Sequence, residues 1–409
     1  MRWKYLRATC HKEKNAPLYK KLVEEKQLTD QVQMFNYTSE LAGQTMLQVR
    51  AYEGTDLDSV QEAIEETFAE FAEKGISEKD LKRIKAGQET RFYNSLSSVM
   101  GKGFQLAQYH IFANDPNYIN EDVENILAVT AADVQRVFEK YLYNKNYVAT
   151  SFVPKDQNDL ALEGAIEADI TEEEIREDAE AEVDPNAEVA YEKTPSSFNR
   201  STEPPYSAAP ELNVPEIWEK RMPSGLEILG ITNSEVPLVQ FSLEIEGGLI
   251  LEEPGKTGVS NLLANLMTKG TKNKTPEELE EAIELLGAEI RVSAGEEKIT
   301  LSGSTLARNY SETMKLAEEI LLEPRWDEAE FKLVKNQAQS QIKQQNANPN
   351  SIAKREFQKL IYGENHILSN QIIGTEESLE KINLQDLKTY YANNLSPLDG
   401  SFHIVGDIE

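Results

Sequence analysis

The chain has 409 residues, 39% of them hydrophobic, a globular composition long enough for two to three domains with cores of their own. Its formal net charge of −29 argues against nucleic acid or an anionic membrane surface as a partner, since both require basic patches that release counterions. No run approaches the roughly eighteen apolar residues of a membrane span, the start Met1-Arg2-Trp3-Lys4-Tyr5-Leu6-Arg7 carries no address label, and the single cysteine, Cys10, excludes an internal disulfide.

In chain order, Pro17 begins an amphipathic helix with Leu18, Leu22 and Val23 inward. Strands are expected at about 31–39 and 44–52, where Thr45, Leu47, Val49 and Ala51 alternate with Met46, Gln48 and Arg50. A helix over 57–74 carries Val60, Ile64, Phe68 and Phe71 on one stripe and stops at Gly75. Ser77-Glu78-Lys79-Asp80 caps a second helix, with Leu81, Ile84 and Phe92 on its apolar face. A third covers 99–112, Thr130-Ala131-Ala132-Asp133 caps a fourth, and a strand at 147–153 is expected to close the unit.

From Lys155 the character changes. Between Asp156 and Lys193 stand fifteen acidic residues against Arg176 and Lys193, with room for a short solvated helix at 171–182, followed by Pro195, Pro204, Pro205, Pro210 and Pro215. Such a segment has too little apolar surface to offset ordering entropy, so it is read as a linker. A second unit opens with a hairpin at 218–231 turning at Pro223-Ser224-Gly225, then a strand at 236–251 broken by Gly247-Gly248. Thr275-Pro276-Glu277-Glu278 starts a helix ended by Gly287, 289–304 reads as a hairpin around Gly295-Glu296-Glu297, helices follow at about 309–322, 326–345, 350–361 and 384–394, and 401–405 is the last strand.

The most informative stretch lies between these elements: Gly258-Val259-Ser260-Asn261-Leu262-Leu263-Ala264-Asn265-Leu266-Met267-Thr268-Lys269-Gly270-Thr271. As a helix it sets Asn261 and Asn265 at i and i+4 on one face with Ala264 beside them, and Leu262, Leu263, Leu266 and Met267 on the buried side. It resembles the zinc-binding helix of the pitrilysin/insulinase family of metallopeptidases, whose His-x-x-Glu-His motif is usually set between a Gly and a Lys-Gly-Thr. In the family the two His bind Zn²⁺, the Glu activates water and a distal Glu is the third ligand. Here Asn261 and Asn265 stand at the His positions, Ala264 at the base, and Gln341, with seventy-five residues between it and Asn265, at the distal ligand. Taken alone, the two Asn are ordinary polar positions on a surface helix; Gln341 at family spacing and an internal repeat favour the degenerate reading. Amide oxygens are poor zinc ligands and Ala cannot accept a proton, so no catalytic residue and no metal ligand is expected.

The repeat aligns Phe71-Ala72-Glu73-Lys74 and the helix after Gly75-Ile76-Ser77 with Glu318-Glu319-Ile320-Leu321-Leu322 and the helix after Pro324-Arg325-Trp326. The resemblance therefore implies an α+β fold: two homologous units, each a mixed, mostly antiparallel sheet faced by helices, joined by an acidic, Pro-rich linker. The expected divisions are 1–154, an even-numbered domain truncated at its N-terminus; 155–213, the linker; and 214–409, a degenerate zinc-peptidase-like domain. The Arg and Tyr that even-numbered domains lend to a zinc site would fall on Val23 and Asp30, so that pair is absent too.

Functionally, the resemblance implies a non-catalytic portion of an insulinase-like zinc metalloendopeptidase, forming chamber wall and peptide-binding surface while zinc sits in a missing upstream domain. The alternative is a stand-alone inactive scaffold or partner subunit of an active family member. The cofactor expectation is none in this chain; the partner expectations are an unfolded peptide and an active family domain in cis or in trans, with no nucleic acid and no membrane. Gram-negative family members are often periplasmic, which is all the resemblance says of location.

Overall fold

The computed structural model describes residues 16–39, 41–169, 214–398 and 400–408, with 197, 199, 201–203 and 205. Cys10, His11, most of the linker and its expected helix at 171–182 lie outside them.

The first unit is organised by the stripe read in the sequence. Helix α1 (Pro17–Tyr19) runs on as a π-helical segment, Lys20–Glu25, and leads into strands β1 (Thr29–Thr38) and β2 (Gly43–Ala51), which pair antiparallel with Met34 opposite Leu47. Then come α2 (Leu57–Lys74), α3 (Glu78–Ser95), α4 (Val99–Ala113), α5 (Ile119–Leu127) and α6 (Ala131–Tyr141). Asp56, Ser77 and Ser98 cap three of these helices, and Thr130 and Asp133 form the reciprocal box expected at α6. Gly75, with φ +66°, ends α2 where an L side chain would be strained. The core joins Leu18, Leu22, Val32, Met34, Val60 and Phe138. Phe138 is fully buried, edge-on to Phe68 at 5.5 Å and Phe71 at 4.8 Å and stacked with Tyr143 at 5.6 Å. Phe138→Ala is expected to cost about 3–5 kcal/mol, from lost transfer energy plus the cavity left among these rings, read by urea denaturation.

The strand expected at 147–153 does not form. The segment takes no regular secondary structure, with Val148 and Phe152 each more than nine-tenths exposed. A strand requires neighbours for its ladder, and among the described residues this unit has only the β1–β2 ribbon. The beginning of the acidic segment is tied down rather than free: Leu162 N–H donates to Ser151 Oγ and Glu163 N–H to Asp58 Oδ1, the latter at 2.8 Å.

The second unit carries a six-stranded sheet in the order β3-β4-β8-β5-β7-β6, from β3 (Trp218–Arg221), β4 (Glu227–Thr232), β5 (Leu238–Glu246), β6 (Glu289–Ala294), β7 (Lys298–Leu306) and β8 (Ser401–Gly406). Only β4 and β8 run parallel, so the sheet is mixed and mostly antiparallel. Its helices are α7 (Val259–Met267), α8 (Pro276–Leu285), α9 (Tyr310–Leu322), α10 (Glu328–Asn346), α11 (Pro349–Tyr362), α12 (Glu376–Lys381) and α13 (Leu384–Asn394). Val239, Phe241, Ile299 and Leu301 point from the sheet into a core shared with α7, α9, α10 and α13. The alternate residues Gln240, Ser242, Ser302, Ser304 and His403 line a shallow polar groove on the other face.

The two units meet where α3 lies against α8. Arg83 Nη1 pairs with Glu284 Oε2 at 2.6 Å, Lys79 with Glu281 at 2.6 Å, and Arg308 grips both oxygens of Glu89 at 2.8 and 2.6 Å. Thr90 Oγ1 donates to the Gly287 carbonyl at 2.7 Å.

Candidate functional site

Helix α7 is seated by its apolar face: Leu262, Leu263 and Met267 are fully buried, and it packs against α10 and α13. Its N-terminus has no cap from Gly258, whose φ is +108° and where an added Cβ would lie 2.9 Å from the Ile373 carbonyl oxygen. Glu252 does the capping from the preceding loop. One oxygen accepts the Gly258 N–H at 2.7 Å; the other accepts the Ser260 N–H at 2.7 Å and the Ser260 hydroxyl at 2.6 Å. This carboxylate is 6% exposed, and burial pushes its pKa above the ordinary value although the three donors pull the other way. Ser378 Oγ donates to the Thr257 carbonyl at 2.6 Å and Tyr390 Oη to that of Gly248 at 2.8 Å, tying the same loop to α12 and α13. Burial first, and the nearby Glu252 charge second, raise the Tyr390 phenol above its usual range.

On this helix Asn261 is half-buried and Asn265 exposed, and their side chains meet. Asn265 Nδ2 donates to the Asn261 carbonyl at 2.8 Å and lies 3.4 Å from Asn261 Oδ1. Ala264 is 1% exposed. Gln341 lies on the neighbouring helix α10, exposed, one residue before the buried Ile342 that continues the apolar row of Phe331, Val334 and Ala338. The structure thus brings Asn261 and Asn265 into contact and places Gln341 on a helix that packs against theirs.

The donor set does not fit a zinc ion. Two carboxamides, one already spent on a backbone carbonyl, a methyl group and a third carboxamide supply neither an imidazole nor a carboxylate. Among the described residues no group of three or more His, Cys, Asp or Glu could hold a metal. His366 Nδ1 accepts the Leu368 N–H, and His403 Nε2 lies 3.0 Å from Ser401 Oγ, so both are locally engaged. Val23 is half-buried on the π-helical segment and Asp30 exposed on β1. Among the described residues no helix is long and apolar enough to cross a membrane. Sequence reasoning missed Glu252, Ser378 and Tyr390, which hold the candidate helix in place. A lone Glu in Leu251-Glu252-Glu253-Pro254-Gly255 reads as loop surface, and nothing local marks it as a cap.

Helix α7 stands between Gly258 and Thr271 in a unit whose mixed sheet is faced by helices, an α+β architecture. The chain belongs to the insulinase family of peptidases: the family model for insulinase (peptidase family M16) matches residues 228–376, and that for the peptidase M16 inactive domain matches residues 7–88. An uncharacterized zinc protease YmxG of Bacillus subtilis (strain 168) is 26% identical over 185 residues, 45% of this chain and 45% of that protein. A non-peptidase homolog YmxG of Helicobacter pylori (strain ATCC 700392 / 26695) is 25% identical over 160 residues, 39% of this chain and 37% of its own length. The mitochondrial-processing peptidase subunit beta of Blastocladiella emersonii is 24% identical over 187 residues, 45% of this chain and 39% of its own. The chain spans less than half the length of these curated relatives.

Proposed function

We propose that this chain is a non-catalytic part of an insulinase-like zinc metallopeptidase, contributing chamber wall and peptide-binding surface while another domain holds the zinc, in cis or in trans. The divisions 1–154, 155–213 and 214–409 belong to the same reading, with the linker allowing the units to move relative to a catalytic half. The observation that carries it is the engaged amide pair Asn261–Asn265 beside buried Ala264, on a helix whose frame from Gly258 to Thr271 is otherwise that of the family. The second reading, a stand-alone inactive partner subunit, draws support from the H. pylori relative described as a non-peptidase homolog.

The test is metal analysis of purified protein. The wild-type chain is expected to hold no stoichiometric zinc. A variant carrying Asn261→His, Ala264→Glu, Asn265→His and Gln341→Glu is expected to bind about one zinc per chain, because the helix and its neighbour would then present two imidazoles and a carboxylate. Stoichiometric zinc and chelator-sensitive peptide cleavage by the wild-type chain would sink the proposal. Cleavage activity gained on adding an active family subunit, with none from either alone, favours the partner-subunit reading.

A further inference from the structure

Part of the contact between the units falls on one particular place, the open end of the β6–β7 hairpin. The other end is closed by its turn, where the Gly295 N–H donates to the Lys298 carbonyl at 2.7 Å. At the open end Glu289 begins β6 opposite Ser304, and β7 stops at Leu306, two residues before Arg308. Helix α3 holds both sides of this opening. Thr90 Oγ1 donates to the carbonyl of Gly287, two residues before β6, and Glu89 accepts from Arg308 on both its oxygens. Between the two sides, Asn309 Nδ2 donates to the Leu286 carbonyl at 2.8 Å. Glu89 and Thr90 are each 5% exposed and Gly287 is buried, so in the docked state these groups have protein partners where water would otherwise serve.

We infer that α3 is a clasp on this hairpin: strand β6 keeps its full ladder to β7 only while the first unit is docked, and its first residues fray when that contact opens. The physical reason is one-sided support. Strand β6 is bonded to β7 alone among the described strands, so its order rests on that ladder, on α7 packed across it and on how its ends are anchored. Undocking returns the Gly287 carbonyl to water and frees residues 286–288, which lead directly into the strand. The effect reaches the polar groove, because Glu289 and Arg291 form its β6 side and Ser302 and Ser304 its β7 side. By linkage, a ligand that requires Glu289 and Arg291 in register would tighten the contact between the units by the same factor that docking tightens its binding. None of the clasp contacts involves Asn261, Ala264, Asn265 or Gln341, so the inference stands apart from the zinc reading.

Hydrogen exchange on the full chain tests it, first with substitutions confined to α3. Glu89→Lys sets a cation against Arg308, and Thr90→Val removes the donor to Gly287 while keeping the side chain's shape. Together they should speed exchange of the 289–294 amides bonded to β7 by about tenfold or more, with the central strands β5 and β8 unchanged. Adding Arg308→Glu to Glu89→Lys rebuilds an opposite-charge pair with its ends exchanged, and β6 exchange should return to within about threefold of wild type. Three results overturn the inference: β6 exchange unchanged in the Glu89→Lys, Thr90→Val protein; acceleration spread equally over β5 and β8; or acceleration by Glu89→Lys that Arg308→Glu leaves in place.

Discussion

Glu252→Ala is expected to lower the stability of the second unit by about 3 kcal/mol or more, because three buried donors lose one shared acceptor. The donors are the Gly258 and Ser260 N–H groups and the Ser260 hydroxyl, and Ser260 itself is fully buried, so water cannot replace the carboxylate without opening the loop. Glu252→Gln should cost less, since one oxygen remains, but its amide N–H₂ then confronts a donor. The pH dependence follows from burial. The folded-state pKa lies above the unfolded value, so the stability this group contributes is fully present below the ordinary carboxylate range and is lost as pH rises through the folded pKa. Wild type should therefore lose part of its advantage over Glu252→Gln as pH rises through that window, measured by urea denaturation at a series of pH values. Equal stabilities for wild type and Glu252→Ala would show that the carboxylate does not hold α7.

Local patterns carried much of the fold into the sequence, and long-range pairing carried little. The Val60, Ile64, Phe68 and Phe71 stripe, the Thr275–Glu278 cap and the Gly295 hairpin turn each act within a few residues, and α2, α8 and the β6–β7 hairpin lie where those signals put them. Helix α5 (Ile119–Leu127) and helix α12 (Glu376–Lys381) were missed because nine and six residues give too few turns for a period to register. The 147–153 segment has β-rich composition and no ladder, a fact that resides in the rest of the unit rather than in Tyr147, Val148 or Phe152. At the candidate site, the positions of Asn261, Ala264, Asn265 and Gln341 were legible from spacing. Glu252 was not, nor was the contact of Arg83 with Glu284, two hundred and one residues away in sequence.

The second large effect is expected at that contact. Arg83 is 3% exposed and its guanidinium reaches Glu284 Oε2 at 2.6 Å and Asp80 Oδ1 at 3.0 Å, so Arg83→Ala leaves a largely buried carboxylate facing a cavity. Removing one partner of such a pair costs about 3–5 kcal/mol, here charged against the docking of α3 on α8. The groups around Glu284 are Arg83, Asp80 and Lys79 from α3 and Glu280 and Glu281 from its own helix. Burial first, with Glu280 and Glu281 adding to it, outweighs the Arg83 attraction and pushes Glu284 up to about 7. A raised pKa in the docked state means that protonation favours docking, so the contact is strongest below the ordinary carboxylate range and weakens as pH rises through about 7. Amides of α3 and α8 should then exchange faster at pH 8 than at pH 6 after correction for intrinsic rates, and Glu284→Gln should abolish the step while keeping the acceptor. Gly287→Ala should loosen the same contact by a different route, since its φ is +61° and an added Cβ would lie 2.6 Å from the Ala86 carbonyl. A pH-independent exchange profile in wild type, or an Arg83→Ala protein with unchanged protection in both helices, would remove Glu284 as the controlling group.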